Sequence, residues 1–328
     1  MTDMPFFDQV RPPKSFRYGL AILGFAGVLI SGCAPSYTLV NNPRARAAGE
    51  TFGYRHWVSS SVEPDIVMIG IHGFCGASID YENLGLHLLK NQPKTALYAY
   101  EVRGQGNDPI KERRGDIGDP EEWYNDLQTF TRLVRKQHPR AKIVWFGESM
   151  GSLIAAHALS EAPSNDPPCD AIVLSSPVVR FKDGIPAWQP ALLRMAAATV
   201  PSARISLETL TGGKDVQMTQ TSTHEEQSLT NSYYIDEYTL RLLNALARNI
   251  DTMNDCAEKI DIPLLVLHGG QDFFNTDSDM RGFIAHVPEK VTYHNYPKAY
   301  HLLMYDQEKD RIFRDVEKWL TKVRNDQF

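Results

Sequence analysis

The sequence predicts an α/β fold with a mostly parallel central sheet flanked by helices and one inserted, mainly helical segment. Three observations carry that prediction. Short, continuous apolar runs recur at 66–71, 95–102, 142–146, 171–174, 263–268 and 291–296. Unbroken apolarity, rather than alternation, is what strands buried on both faces require. Helical patterns lie between them, one opening at Asp119-Pro120-Glu121-Glu122 and running to about His138, one starting near Ser149 and one over about 307–323. Strand and helix in alternation fold as right-handed crossovers onto one sheet. The rhythm fails once: between 178 and 262 no clear strand is seen, and helical patterns at 190–198 and 236–249 flank a polar stretch, 209–231.

Each element has its own signal. Asp119 is placed as N-cap and Pro120 at the first helical position, with acids in the first turn where the helix dipole favours them. The interval 178–262 is far longer than the few residues of an ordinary connection. It reads as an insertion with its own structure, either a cap over the carboxyl edge of the sheet or a subdomain without a role there. The expected division is therefore 51–177 as the first part of the core, 178–262 as the helical cap and 263–328 as the second part. No internal repeat or low-complexity segment occurs.

Composition bounds the function. The 328 residues are 42% hydrophobic and 23% charged, ordinary for a globular chain. A net charge of -6 with a pI near 5.9 lacks the basic footprint that nucleic acid demands.

The first residues stand apart from this pattern. A leader with Arg11, Lys14 and Arg17 precedes an apolar run over 18–30 that ends in Ile30-Ser31-Gly32-Cys33. A basic flank, a short apolar core and small residues read as an export signal over 1–32, too short for an ordinary membrane span. The ending resembles the lipobox of bacterial lipoproteins. That resemblance implies lipid attachment at Cys33, a linker over 33–50 and, with Ala34 next, an outer-membrane location facing the periplasm. The competing reading is an uncleaved N-terminal helix with Cys33 a bystander.

Beyond Cys33 the cysteines are Cys75, Cys169 and Cys256, an odd set whose pairing sequence leaves open. None has zinc spacing, and the histidines form no HExxH, so no metal site and no cofactor are predicted.

The chemistry concentrates at Gly147-Glu148-Ser149-Met150-Gly151, between a buried strand and a helix of small residues. Such a sharp turn lifts the Ser149 hydroxyl above the sheet at a helix N-terminus, whose unpaired amides favour developing negative charge. A serine hydroxyl needs a base, and the base needs a partner that fixes its tautomer. In the chain order Ser, acid, His, the acid falls on Asp272 in "LLVLHGGQDFF" and the base on His301 in "YPKAYHLLMYD", each after a strand. His268 and His294 lie in or at the end of strands and read as core or surface residues. Asp277 and Asp279 lie deeper into the next helix, with Asp277 an alternative only for an unusual loop. An oxyanion hole needs two aimed donors, assigned to the backbone amides of Met150 and of Phe74 in "IHGFCGAS"; His72 reads as a loop-shaping residue and Cys75 as a bystander.

With these residues in place, the chain resembles an α/β hydrolase of the monoacylglycerol lipase, lysophospholipase and serine aminopeptidase branch, over roughly 50–325. The resemblance rests on His72-Gly73-Phe74, Arg103-Gly104-Gln105-Gly106, Gly147-Glu148-Ser149-Met150-Gly151, Gly270-Gln271-Asp272 and Ala299-Tyr300-His301, in that order. Two departures stand out. Glu101, two positions ahead of Arg103, replaces the usual Asp, and Glu148 replaces the usual His, which puts a possible charge beside Ser149.

The resemblance implies hydrolysis of monoacylglycerol-like or lysophospholipid-like carboxylic esters through an acyl-enzyme, without a cofactor. Trp188, Leu192, Leu193 and Met195 are candidates for an acyl pocket, although apolar residues at helical spacing also serve as core. Two other readings stay open: a serine peptidase or amidase of the same branch, and a catalytically idle envelope lipoprotein that binds rather than cleaves. The expected partners are a small-molecule or lipid ester and, through Cys33, the membrane; oligomeric state is not encoded in any motif.

Overall fold

A computed structural model describes residues 44–47, 49–181, 188–211, 215–288 and 290–328, the side chains of 44–47, 188–189 and 210–211 excepted. Cys33 and the leader lie outside the described residues.

An eight-stranded sheet organises the chain. Its strands are β1 (Arg44–Ala47), β2 (Glu50–Trp57), β3 (Ile66–Ile71), β4 (Thr95–Tyr100), β5 (Lys142–Glu148), β6 (Ala171–Ser175), β9 (Leu264–Gly269) and β10 (Val291–Tyr296), in the spatial order β1-β2-β4-β3-β5-β6-β9-β10. From β4 to β10 every pairing is parallel, and β2 pairs antiparallel with both β4 and β1. The remaining strands, β7 (Arg204–Ser206) and β8 (Glu237–Thr239), form a separate antiparallel pair.

Helices cover both faces. Ile143 and Trp145 of β5 join Ile69 and Ile172 in a core shared with α2 (Glu121–Gln137), α3 (Met150–Ser160), α8 (Met253–Ala257) and α9 (Asp277–Ile284). Val144 and Phe146 turn the other way, toward α1 (Glu82–Asn91) and α10 (Lys309–Arg324). Strict alternation between two apolar cores explains why the parallel strands read as unbroken apolar runs. Between β6 and β9 lie α4 (Trp188–Thr199), β7, α5 (Leu207–Thr211), α6 (His224–Thr230), β8, α7 (Leu240–Asp251) and α8.

The sequence reading is corrected at three points. The interval 178–262 does contain strands, but β7 and β8 are three residues each, too short to show a period. Strand β2 alternates buried and half-buried residues and carries Arg55, so it resembles none of the apolar runs. Helix α2 begins one residue later than expected, although Pro120 already has helical dihedrals (φ -59°, ψ -28°). The Glu122 carboxylate, rather than the Asp119 side chain, accepts from the preceding amides of Gly118 (2.8 Å) and Asp119 (3.4 Å).

The strand order reverses around β3, which has β4 on one side and β5 on the other. Outside the carboxyl ends of two such strands, their following loops part and leave a crevice. The loops after β3 and β5 carry Phe74 and Ser149.

Candidate active site

Ser149 sits where β5 becomes α3, with φ 51° and ψ -115°. That backbone conformation is costly for a residue with a side chain and is held by its surroundings. Its amide donates to the Ser175 carbonyl at 2.9 Å, while the Ser152 hydroxyl donates to the Gly147 carbonyl at 2.8 Å. The two flanking glycines are required by contact. A Cβ on Gly147 would lie 2.4 Å from the Gly151 carbonyl oxygen, and one on Gly151 only 1.8 Å from that of Ile71. Strand, turn and helix therefore interlock, and the helix N-terminus with its unpaired amides faces the Ser149 side chain.

Asp272 and His301 meet. The His301 Nδ1–H donates to Asp272 Oδ2 at 2.8 Å, with both side chains 2% exposed. The second carboxylate oxygen accepts from the Phe274 amide at 2.8 Å. Their loops are also joined through the backbone, because the Gln271 amide donates to the Ala299 carbonyl at 2.9 Å. The imidazole is thus held with Nδ1 protonated, which leaves Nε2 as its free nitrogen.

One short segment ties these parts together. Ser175, which receives the Ser149 amide, is followed by Ser176, whose hydroxyl donates to the His301 carbonyl at 2.7 Å. Ser149 and His301 are thereby anchored to consecutive residues at the end of β6. No hydrogen bond joins their side chains in this structure; such contacts often tighten only once substrate is bound.

The loop after β3 closes the other side. A Cβ on Gly73 would lie 3.3 Å from that of Ser149, so Phe74 follows a residue packed on the serine. The amides of Phe74 and Met150 make no hydrogen bond among the described residues. His72 is fully buried, its Nδ1–H donating to the Gly73 carbonyl (3.0 Å) and its Nε2 accepting from the Val102 amide (2.9 Å). With both nitrogens engaged, it shapes the loop. Cys75 follows with φ 61°, and burial pushes its thiol up to about 12; it is not a nucleophile at neutral pH.

Glu148, the possible charge beside Ser149, is closed off from solvent. It is 2% exposed, its Oε1 has no hydrogen-bond partner, and burial, reinforced by the charge of Asp80, raises its carboxyl well above the usual range.

The other candidates are placed as follows. His268 is buried and bonded to the Asn275 carbonyl and the Tyr293 hydroxyl, as a core residue. The Asp277 carboxylate accepts from Tyr293, Asn295 and Arg281, which lower its pKa, and Asp279 caps α9 with Thr276. Leu192 and Met195 on α4 are 49% and 61% exposed, while Leu193 packs against the core. Trp188 opens α4, and its side chain lies outside the described residues. Cys75, Cys169 and Cys256 are free thiols. Among the described residues no group of three or more ligating side chains could hold a metal ion, and no helix is long and apolar enough to cross a membrane.

Sequence reasoning missed Ser176 and Asp306. Fully buried, the Asp306 carboxylate accepts from the Gln220 amide (3.0 Å) and side chain (2.8 Å), and from the amides of Tyr300 (3.2 Å) and Glu308 (3.3 Å). An Asp shortly before the last helix was the available signal.

Comparison with known proteins identifies the family. Over residues 62–308 the chain matches the family model described as serine aminopeptidase, S33. It is 23% identical over 278 residues to a monoacylglycerol lipase of Mycolicibacterium smegmatis, covering 84% of this chain and 95% of that protein. Among solved structures it is similar to a soluble variant of monoglyceride lipase from Saccharomyces cerevisiae in complex with a substrate analogue. The TM-score is 0.74 at 20% identity, over 88% of this chain and 97% of that one. It is also similar to the monoacylglycerol lipase of Paleococcus ferrophilus, with TM-score 0.69 and 21% identity over 83% and 99% of the two chains. Sheet order, elbow and the extent of the family match lead to one assignment: the chain is an α/β hydrolase and belongs to the serine aminopeptidase, S33, family.

Proposed function

We propose that this protein is a serine hydrolase that cleaves carboxylic esters of the monoacylglycerol or lysophospholipid type. The observation that carries the reading is the Asp272–His301 pair, anchored through Ser176 beside the elbow that raises Ser149. Ser149 Oγ attacks the ester carbonyl while its proton passes to His301 Nε2, and Asp272 stabilises the imidazolium. The oxyanion is stabilised by the amides of Phe74 and Met150. As the tetrahedral intermediate collapses, the alcohol leaves with that proton and the acyl group stays on Ser149. Water then attacks, gives its proton to His301, and the acid is released as Ser149 recovers its own.

The names of the relatives support an ester of glycerol, and residues between β6 and β9 are the natural place for substrate choice. In the same proposal 178–262 acts as a cap, and attachment through Cys33 holds the enzyme on the periplasmic face of the outer membrane, beside glycerolipids. The family description keeps a second reading in view, cleavage of aminoacyl amides.

A fluorophosphonate probe, a chain-length series of esters and a set of aminoacyl amides, each run with Ser149→Ala alongside, separate the readings. Labelling that depends on Ser149 and turnover of esters are expected. Turnover of amides alone transfers the assignment to the peptidase reading, and an unlabelled, inert protein sinks both in favour of a binding role. Fatty-acid metabolic labelling with Cys33→Ser as control, followed by membrane fractionation, tests the anchor.

A further inference from the structure

Cys75 is a residue with a side chain in the left-handed region (φ 61°), directly after Phe74. A non-glycine residue keeps such a conformation only where its neighbours over-determine it. Three contacts do so here. The Cys75 amide donates to Gln105 Oε1 at 3.1 Å, its carbonyl accepts from Asn231 Nδ2 at 3.2 Å, and its sulfur accepts from the Tyr238 hydroxyl at 3.4 Å. Two of the three partners come from the segment between β6 and β9.

Tyr238 grips the loop twice. Its ring lies 4.3 Å from that of Phe74, tilted by 36°, and its hydroxyl also reaches Gln105 Oε1 at 3.4 Å. Tyr238 and Gln105 are fully buried. Asn231 is itself oriented, because its side-chain oxygen accepts from the Tyr233 amide at 2.8 Å. The Tyr233 hydroxyl in turn accepts from Arg55, whose guanidinium pairs with Glu101 beneath the same loop.

We infer that Tyr238 and Asn231 are positioning residues for the proposed oxyanion hole: seated on Phe74 and Cys75, they hold the Phe74 amide in its aim. The inference rests on the hydrolase reading for its catalytic consequence and on the loop contacts alone for its structural one. An amide aimed at an oxyanion matters in the transition state more than in substrate binding. Loss of its support therefore lowers kcat and spares KM.

The test uses the full chain. Tyr238→Phe removes the hydroxyl and keeps the ring; Asn231→Ala removes the second tie. About a tenfold fall in kcat is expected for each, with KM within about twofold. Cys75→Gly added to Tyr238→Phe should restore most of the loss, since glycine adopts this φ without strain. Hydrogen exchange at 73–76 should rise about fivefold in Tyr238→Phe whether or not any ester is turned over. Unchanged kcat, a parallel rise in KM, no recovery by Cys75→Gly or unchanged exchange at 73–76 each overturns the inference. Failure of the hydrolase reading would show separately, as a wild-type protein that neither labels nor turns over ester.

Discussion

His301 Nδ1 lies 2.8 Å from Asp272 Oδ2, and both side chains are closed off from solvent. Because Asp272 also accepts from the Phe274 amide, its carboxylate cannot rotate away without losing two hydrogen bonds. The ring of Phe274 stands 4.6 Å from the imidazole and tilted by 56°, so one short loop sets the tautomer of the histidine and packs against its face.

Replacing the carboxylate by an amide keeps the shape and spoils the acceptor. Asp272→Asn should lower kcat about a thousandfold or more with KM nearly unchanged, because it disturbs the tautomer and the imidazolium rather than the binding surface. Steady-state kinetics on a short-chain ester measure it. A fall of under tenfold would remove Asp272 from the proposed triad.

Two glycines on helices give opposite expectations. Gly151→Ala drives a methyl to 1.8 Å from the Ile71 carbonyl oxygen, a backbone atom that cannot swing aside. A loss of about 3 kcal/mol or more is expected in urea denaturation. At Gly282, within α9, an added methyl would meet nothing within 4 Å, and Gly282→Ala should gain about 0.5–1 kcal/mol from helix propensity.

Glu148 makes stability depend on pH in a definite sense. Its carboxyl is raised in the folded state, first by burial and then by Asp80. The unfolded chain therefore releases the proton at ordinary carboxylate pH, while the folded chain keeps it. Above that pH the folded state binds more protons, and its stability falls as pH rises, by up to about 1.4 kcal/mol per unit. Glu148→Gln removes this dependence. The difference in thermal midpoint, variant minus wild type, should grow from pH 4 to pH 8; a constant difference would mean that Glu148 ionises normally.

Asp306→Ala takes away the acceptor of four N–H donors, three of them on the loops of Gln220 and Tyr300. About 2–4 kcal/mol of stability should be lost. Because Tyr300 precedes His301, kcat should fall as well, and both are read from denaturation curves and ester turnover.

The parallel sheet was legible because its strands are buried on both faces, and the positions of Ser149, Asp272 and His301 in the fold because each follows such a strand. Strand β2 escaped because its Arg55 is buried against Glu101, a pairing made by residues far apart in the chain. Glu148 was read as a possible charge; only its three-dimensional burial shows that its carboxyl is pushed up. Asn231 ends a polar stretch and Tyr238 lies where a helical pattern was read but the chain forms β8, and the role proposed for them depends wholly on the loop they rest upon.

Strands β6 and β9 are parallel neighbours, with Ile172 opposite Leu264, so the chain leaves the sheet after Ser175 at the carboxyl edge and re-enters one strand over, at Leu264 near the opposite edge. A stretch borrowed from another protein would have to cross back along the strands, its ends roughly 11 Å apart (about three residues of 3.3 Å along the strands and about 4.8 Å across them), and the parallel layer would not register the exchange. The loop at Phe74 would. A graft that brings no counterpart of Tyr238 and Asn231 should yield a well-folded chimera that binds its ligand and turns it over slowly.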